Sequence, residues 1–375
     1  MTIGVLREPD HEKRVALTPG TILQLIRLNV KVQVESGAGL NATFEDTDYT
    51  MAGAEILTKK QVLDIADIIV KINPFTAEEL KTLNPSQVLI ASMNPFFNMS
   101  IIKLLSEKKL TSFSMELVPR TTKAQSMDVL SSMASVAGYK AVLHAAMLLP
   151  KFFPMFISAA GTIKPAKVLV LGAGVAGLYA IAIARKLGAV VEVFDVRTAV
   201  KEEVKSLGGR FIEVMGASED PSAGGYAIEQ SADFSRRQAE TIHNHAVLAD
   251  VIICTAQIPG KKAPVLIRKD TVSGMRKGSV IIDLAASTGG NCELTVDGEI
   301  ISSEGKTIVG NSSYPSDMPL DASNMYSKNL FNFMNMLISE GKLNLNFNEE
   351  IIRSACLTHN GEIINKKVKS LQTKP

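Results

Sequence analysis

Gly172, Gly174 and Gly177 stand in the spacing GxGxxG, directly after the apolar run Val168–Leu171 and directly before the apolar stretch Val175–Leu187. Alone that spacing is a weak signal, but a strand before it and a helix after it supply a mechanism. Gly172 permits a tight turn, Gly174 lets a pyrophosphate approach the backbone, and Gly177 lets the helix lie close to the strand. The helix start at Val175 offers free N–H groups and a partial positive charge to phosphates. Asp195 closes the next apolar run, 18 residues after Gly177. A carboxylate there accepts hydrogen bonds from the adenosine ribose hydroxyls and repels a 2′-phosphate, which favours NAD over NADP. Arg197 pulls the other way. A methyltransferase using S-adenosylmethionine shares the glycine turn and the acid, and would differ by ignoring NADH.

Other reactive residues are sparse. The histidines are His11, His144, His243, His245 and His359. His243 and His245 sit two apart in a polar helical stretch, so their side chains diverge and read as a solvated pair rather than a metal site. No Ser–His–Asp order, CxxC or HExxH occurs, so the sequence offers no metal site and no ready general acid or base. Cys254, Cys292 and Cys356 are odd in number and far apart, which argues against a disulfide framework and for a reducing compartment.

The 375 residues suffice for two ordinary domains. With 46% hydrophobic and 21% charged residues and a formal charge of +2, the composition is that of a soluble globular chain. It gives no electrostatic reason to bind nucleic acid or a lipid surface. The start, MTIGVLREPDHEKR, is charged by residue seven and carries no secretory signal. Val168–Ala184 is uncharged for 17 residues but holds three glycines, and it is short of the ~20 a bilayer span needs. No direct membrane insertion is expected.

The elements that must carry these residues alternate. Thr2–Leu6, Val30–Val34, Ile68–Ile72, Gln87–Ala91 and Leu110–Met115 read as strands, with helical spacing in Pro19–Leu28, Lys60–Ile65 and Ser100–Lys108. Asp128–Ser158 reads as helix with a proline interruption, connecting two lobes. A second series follows: strands at Lys167–Leu171, Val190–Asp195, Arg210–Val214, Asp250–Thr255 and Ser279–Leu284, and helices at Val175–Leu187, Lys201–Leu207, Tyr226–Leu248 and Ile267–Met275, with Thr198 as a helix cap. Asn324–Ile338 has the apolar spacing of a core-facing helix and is expected to pack back on the first lobe. The pattern predicts an α/β protein of two Rossmann-like lobes, parallel sheets flanked by helices, with a cleft between them. The expected domains are 1–130 plus 315–375, discontinuous, and 140–310, which holds the nucleotide.

Several motifs then carry a resemblance over nearly the whole chain: EKRVALTP at Glu12–Pro19, VKINP at Val70–Pro74, PRTTKAQSMDVLSSM at Pro119–Met133, AGYKAV at Ala137–Val142, LGAGVAGL, GGYA at Gly224–Ala227, IPGKKAPVLI at Ile258–Ile267 and GSVIIDLA at Gly278–Ala285. The chain resembles the NAD(H)-binding domain of the proton-translocating NAD(P) transhydrogenases and, more distantly, alanine dehydrogenase. The resemblance implies direct hydride transfer between NADH on this chain and NADP⁺ on a partner domain, coupled to proton movement through a membrane domain. Two nicotinamides exchange hydride without a side-chain proton donor, provided their C4 atoms approach to roughly 3–3.5 Å.

Carried over by motif, Arg120, Gln125, Asp128 and Ser131 surround the nicotinamide, with Asp128 holding Arg120 by a charge-assisted hydrogen bond. Gly225 and Tyr226 resemble a mobile loop that closes over nucleotide; on sequence alone they read equally as a helix start. Thr255, Ala256 and Gln257 line the nicotinamide side, as strand ends do in such sheets. The resemblance further implies a homodimer docked on membrane-embedded subunits that carry the NADP(H) site. It would lie on the cytoplasmic face of the inner membrane, or the matrix side in an organelle.

Two alternatives remain: an alanine dehydrogenase-like amino-acid dehydrogenase, and a non-catalytic NAD-binding module. Arg14 and Lys71 match the substrate-binding arginine and lysine of alanine dehydrogenase. Its catalytic histidine has no counterpart in SMNPFFN (Ser92–Asn98), and Ser287 stands at its catalytic aspartate. Met133, Lys123 and Ser287 also depart from the transhydrogenase pattern, which has glutamine, arginine and an acidic residue there.

Overall fold

The computed structural model describes residues 1–216, 231–258 and 260–372. The chain divides into two compact units, Met1–Met133 with Pro315–Pro375, and Ala134–Tyr314.

The first unit opens with β1 Thr2–Val5, β2 Lys31–Glu35, β3 Glu55–Leu57, β4 Ile68–Val70, β5 Val88–Ala91 and β6 Thr111–Ser114. All six pair in parallel. Helices Pro19–Ile26, Lys59–Ile65 and Met99–Glu107 are among the crossovers. The central strands are buried throughout, which is why they read as unbroken apolar runs rather than as alternation.

The Val129–Leu148 helix leads into the second unit, followed by the antiparallel hairpin β7 Phe156–Ser158 and β8 Gly161–Ile163. A mixed sheet then forms from β9 Lys167–Leu171, β10 Val190–Phe194, β11 Arg210–Ile212, β12 Val251–Cys254, β13 Val280–Asp283, β14 Ile300–Ser303 and β15 Lys306–Gly310. Its order is β11-β10-β9-β12-β13-β15-β14, parallel except for β14. The order reverses beside β9, the strand that feeds the glycine turn. Open α/β sheets bind ligands at such a point.

The chain then returns to the first unit as the Pro319–Leu337 helix, which buries Tyr326, Leu330, Phe333, Met334 and Leu337 in the core shared with Ile3, Val5 and Ile90. The short pair β16 Ile338–Ser339 and β17 Lys342–Leu343 follows, then β18 Cys356–His359 and β19 Glu362–Ile363. The last two extend the first sheet antiparallel at its edge, giving β19-β18-β6-β5-β4-β1-β2-β3. Parallel strands flanked by helices are thus found in both units, as the alternation predicts.

The structure corrects several boundaries. Asp128–Ser158 is not one interrupted helix: it ends at Leu148, just ahead of Pro150, and the next residues form the β7–β8 hairpin. Proline restricts the residue before it and donates no hydrogen bond, so the helix stops there. Thr198 does not cap the Lys201–Ser206 helix; it starts a 3₁₀ turn, Thr198–Val200, that leads into it. Within Tyr226–Leu248 the described helix is Ala232–Ala246, capped by Ser231. The pairs β14–β15, β16–β17 and β18–β19 have no counterpart in the sequence reading. Each turns through a non-glycine and a glycine at positive φ: Glu304-Gly305, Glu340-Gly341 and Asn360-Gly361. Two consecutive positive φ values match the twist of a hairpin.

His243 and His245 are not a solvated pair. His243 Nδ1 lies 2.9 Å from Thr271 Oγ1 and His245 Nδ1 lies 2.7 Å from Glu192 Oε2.

Candidate functional site

The glycine turn is built as the motif requires. Gly172 sits at φ +99°, and its N–H donates to Phe194 O at 2.8 Å, tying the end of β9 to β10. A Cβ on Gly177 would lie 1.9 Å from Gly172 O, a distance no atom can occupy. Gly174 precedes the Val175–Lys186 helix, and a Cβ there would meet nothing within 4 Å. The first and third glycines are therefore demanded by the protein's own packing. The second faces open space at a helix N-terminus, which is where a pyrophosphate would lie and a side chain would intrude. That open space is the fit of these residues to a dinucleotide.

Thr255 holds the turn from the neighbouring strand. Its Oγ1 donates to Gly172 O at 2.9 Å and lies 3.2 Å from Leu171 O. Ala256 is clamped through its backbone: its N–H donates to Asn291 Oδ1 at 2.9 Å and its carbonyl accepts from Asn291 Nδ2 at 2.9 Å. Asn291 is fully buried and is itself held through its N–H by Asp283, whose carboxylate also accepts from Cys292 N, Thr295 Oγ1 and Ala285 N. Sequence reasoning misses Asn291 and Asp283. They lie far along the chain from Ala256, and only the pairing of β12 with β13 brings them together. Gln257 Nε2 donates to Leu284 O at 3.1 Å.

Asp195 ends β10 beside this turn. Its Oδ2 accepts from Ala173 N at 2.7 Å and from Arg197 Nη2 at 2.7 Å; its Oδ1 accepts from Arg197 N at 2.8 Å and Arg197 Nε at 2.9 Å. A pocket of about 400 Å³ opens next to it, lined by Phe194, Asp195, Phe211, Val214 and Phe234 among others. The lining is mixed, with Thr198 and Glu213 beside the aromatic rings, and a flat purine joined to a ribose needs both kinds of surface. Gly225 and Tyr226 lie outside the described residues.

The other predicted site residues belong to the first unit. Gln125 is exposed on the 3₁₀ turn Thr122–Met127, whose Ser126 carbonyl is held by Asn329 Nδ2 at 2.8 Å and Asn332 Nδ2 at 3.0 Å. Asp128 caps the Val129–Leu148 helix, accepting from Ser131 N at 2.9 Å and Ser131 Oγ at 2.6 Å. Arg120 Nε stands 3.9 Å from Asp128 Oδ2. That is an ion-pair separation and not the charge-assisted hydrogen bond expected.

Arg14 and Lys71 are both neutralised. Arg14 forms a two-pronged pair with Glu12, at 2.8 and 2.6 Å. Lys71, 2% exposed, lies 3.3 Å from each oxygen of Glu79. Burial pushes the Glu12 and Glu79 carboxyls up, but Arg14 beside the first, and Lys71, Lys59 and the Thr76 N–H together beside the second, outweigh it and hold both below the usual carboxylate range. Glu8 goes the other way: burial raises it despite Lys71 and hydrogen bonds from Ile72 N, Asn73 N and Asn73 Nδ2. Among the described residues no cluster of histidine, cysteine, aspartate or glutamate is placed to hold a metal.

Residues 4–137 match the family model for the alanine dehydrogenase/PNT N-terminal domain, and residues 141–366 that for its C-terminal domain. The chain is 44% identical to a Rhodospirillum rubrum protein that is the first portion of NAD(P) transhydrogenase subunit alpha, over 97% of this chain and 98% of that one. It is likewise 44% identical to NAD(P) transhydrogenase subunit alpha of Haemophilus influenzae, over 97% of this chain and 72% of that one. Its fold superposes on the crystal structure of transhydrogenase from Sinorhizobium meliloti with a TM-score of 0.89 and 39% identity, covering 97% and 100% of the two chains.

Proposed function

Because this chain belongs to the alanine dehydrogenase/PNT family of oxidoreductases, we propose that it is the NAD(H)-holding component of a proton-translocating NAD(P) transhydrogenase. The observation that carries the reading is the open space at Gly174, set between two glycines that packing requires. Bound NADH would supply a hydride from its nicotinamide C4 to NADP⁺ held on a partner domain. The chain's own residues bind and orient. Gly174 and the first turn from Val175 receive the pyrophosphate, and Asp195 receives the adenosine ribose. Thr255 and Ala256 line the nicotinamide side. Gly225 and Tyr226 close over the nucleotide, while Arg120, Gln125, Asp128 and Ser131 orient the carboxamide.

The amino-acid dehydrogenase reading is disfavoured by Arg14 and Lys71. Both cations are already paired with buried glutamates, so a substrate carboxylate would have to compete with Glu12 and Glu79 for them. With no histidine in Ser92–Asn98, no imidazole stands there to move a proton at an imine carbon.

The quaternary reading is a homodimer docked on membrane-embedded subunits, on the cytoplasmic or matrix face. It is supported by the β7–β8 hairpin, which exposes Phe156, Ile157 and Ile163. A two-stranded hairpin is only marginally stable alone, and an apolar one this exposed fits a second copy of the chain. No helix among the described residues is long and apolar enough to cross a membrane.

The test is an NADH fluorescence titration, which is clean because the chain has no tryptophan. Pyruvate with ammonium is then added, and finally the NADP⁺-loaded partner domain. NADH that binds, survives the keto acid and is oxidised only with the partner supports the proposal. Oxidation by pyruvate and ammonium alone would make the chain an amino-acid dehydrogenase. Binding with no turnover under any condition would make it a non-catalytic NAD-binding module.

A further inference from the structure

An ionised carboxylate has two oxygens and about four acceptor positions. Asp195 receives four donors: Ala173 N and Arg197 Nη2 on Oδ2, Arg197 N and Arg197 Nε on Oδ1. Two come from the backbone of the turns that Asp195 joins. The other two come from one guanidinium fork, which presents a pair of N–H groups much as a ribose diol presents a pair of O–H groups. Both residues are largely shielded, the side chains being 24% and 6% exposed for Arg197 and Asp195. With the fork in place, a ribose has no acceptor left to bind.

We infer that the Arg197 guanidinium is a displaceable occupant of the ribose position, and that it sets the discrimination between nucleotides with and without a 2′-phosphate. The inference rests on the NAD(H) reading above. Only molecules whose Arg197 has swung away from Asp195 can take the ribose, so the apparent affinity is lowered by the fraction in that state. Once expelled, the guanidinium remains tethered two residues from Asp195, beside the ribose edge. A 2′-phosphate arriving there meets a planar fork suited to phosphate oxygens and a carboxylate that repels it. A 2′-hydroxyl meets only the carboxylate. Arg197 therefore opposes NAD(H) and favours NADP(H), while Asp195 does the reverse. The preference of the site is the difference between them.

Adenosine 5′-monophosphate and adenosine 2′,5′-bisphosphate isolate this end of the cofactor, and their affinities are read by calorimetry on the full chain. Arg197→Ala is expected to bind the monophosphate about tenfold more tightly and the bisphosphate about tenfold more weakly. Arg197→Lys keeps a charge against Asp195 but loses the fork, and is expected to fall between wild type and Arg197→Ala for both ligands. Unchanged or weaker monophosphate binding by Arg197→Ala, or a ratio of the two affinities equal to wild type, would overturn the inference while leaving the nucleotide site standing. Failure of the wild-type chain to bind either adenosine ligand or NADH would remove the site itself, and with it both readings.

Discussion

Two glycines three residues apart serve the motif for different physical reasons, and they separate binding from folding. At Gly177 an added methyl would collide with Gly172 O at 1.9 Å. Gly177→Ala is expected to lower stability by about 1–3 kcal/mol, the usual cost of overpacking, with the loss read in a urea titration. Gly174→Ala meets no neighbour; its stability should stay within about 1 kcal/mol of wild type while NADH affinity falls about tenfold or more. Equal effects of the two substitutions on both measurements would refute the separate roles. On the proposed ribose role of Asp195, Asp195→Asn should weaken NADH binding by roughly 1.5–3 kcal/mol through loss of a charge-assisted hydrogen bond. Unchanged affinity would remove Asp195 from the ribose site.

Elements in the first unit are pinned by buried ion pairs. The Ala77–Lys81 helix is fastened to the end of β4 by Glu79 and Lys71, and Lys59 adds a second contact to Glu79 at 2.6 Å. Glu79→Gln keeps the hydrogen bond that caps this helix through Thr76 but leaves Lys71 buried without its counter-charge. A loss of about 3–5 kcal/mol is expected at neutral pH. The same pairs fix the sign of the acid response. Glu12 and Glu79 have carboxyls held below their unfolded value of 4.5. Their stabilisation is present above that value and disappears as pH falls through the lowered folded values. The wild-type urea midpoint should therefore drop as pH falls below 4.5, and Glu79→Gln should flatten part of that fall. Glu8 and Glu116, raised by burial, act oppositely, stabilising below 4.5 and ceasing to do so as pH rises through their folded values. An acid limb unaltered by Glu79→Gln would show that the Lys71 pair does not carry it.

At the scale of the molecule the proposed homodimer is tested at the exposed hairpin. Ile157, 69% exposed on β7, touches too little of its own chain to matter for the protomer, and Phe152 stacks on Phe156 with ring centroids 4.9 Å apart. Ile157→Asp should leave the unfolding midpoint within about 0.5 kcal/mol of wild type and convert a dimer into a monomer in light scattering. A dimer that persists would move the interface elsewhere.

Local order decided what was legible. The family resemblance and the α/β character with parallel sheets could be read because each rests on residues close together in the chain: the glycine turn between strand and helix, and the apolar runs of strands covered on both sides. The 3.6-residue spacing of Leu330, Phe333, Met334 and Leu337 likewise announced a core helix, whereas Met325, read with them, is exposed and Tyr326 takes the buried place. Tertiary structure alone decided what depends on partners distant in sequence. Asn291 reaches Ala256 because β12 and β13 pair, a contact no spacing rule encodes. Arg120 stands 3.9 Å from Asp128 Oδ2, at ion-pair and not hydrogen-bond distance, a separation that the motif does not encode. Asp195 could be read as a carboxylate at a strand end. That its four acceptor positions are already filled, two of them by the Arg197 guanidinium, depends on how the β10 end turns back on itself, and only the folded chain supplies that geometry.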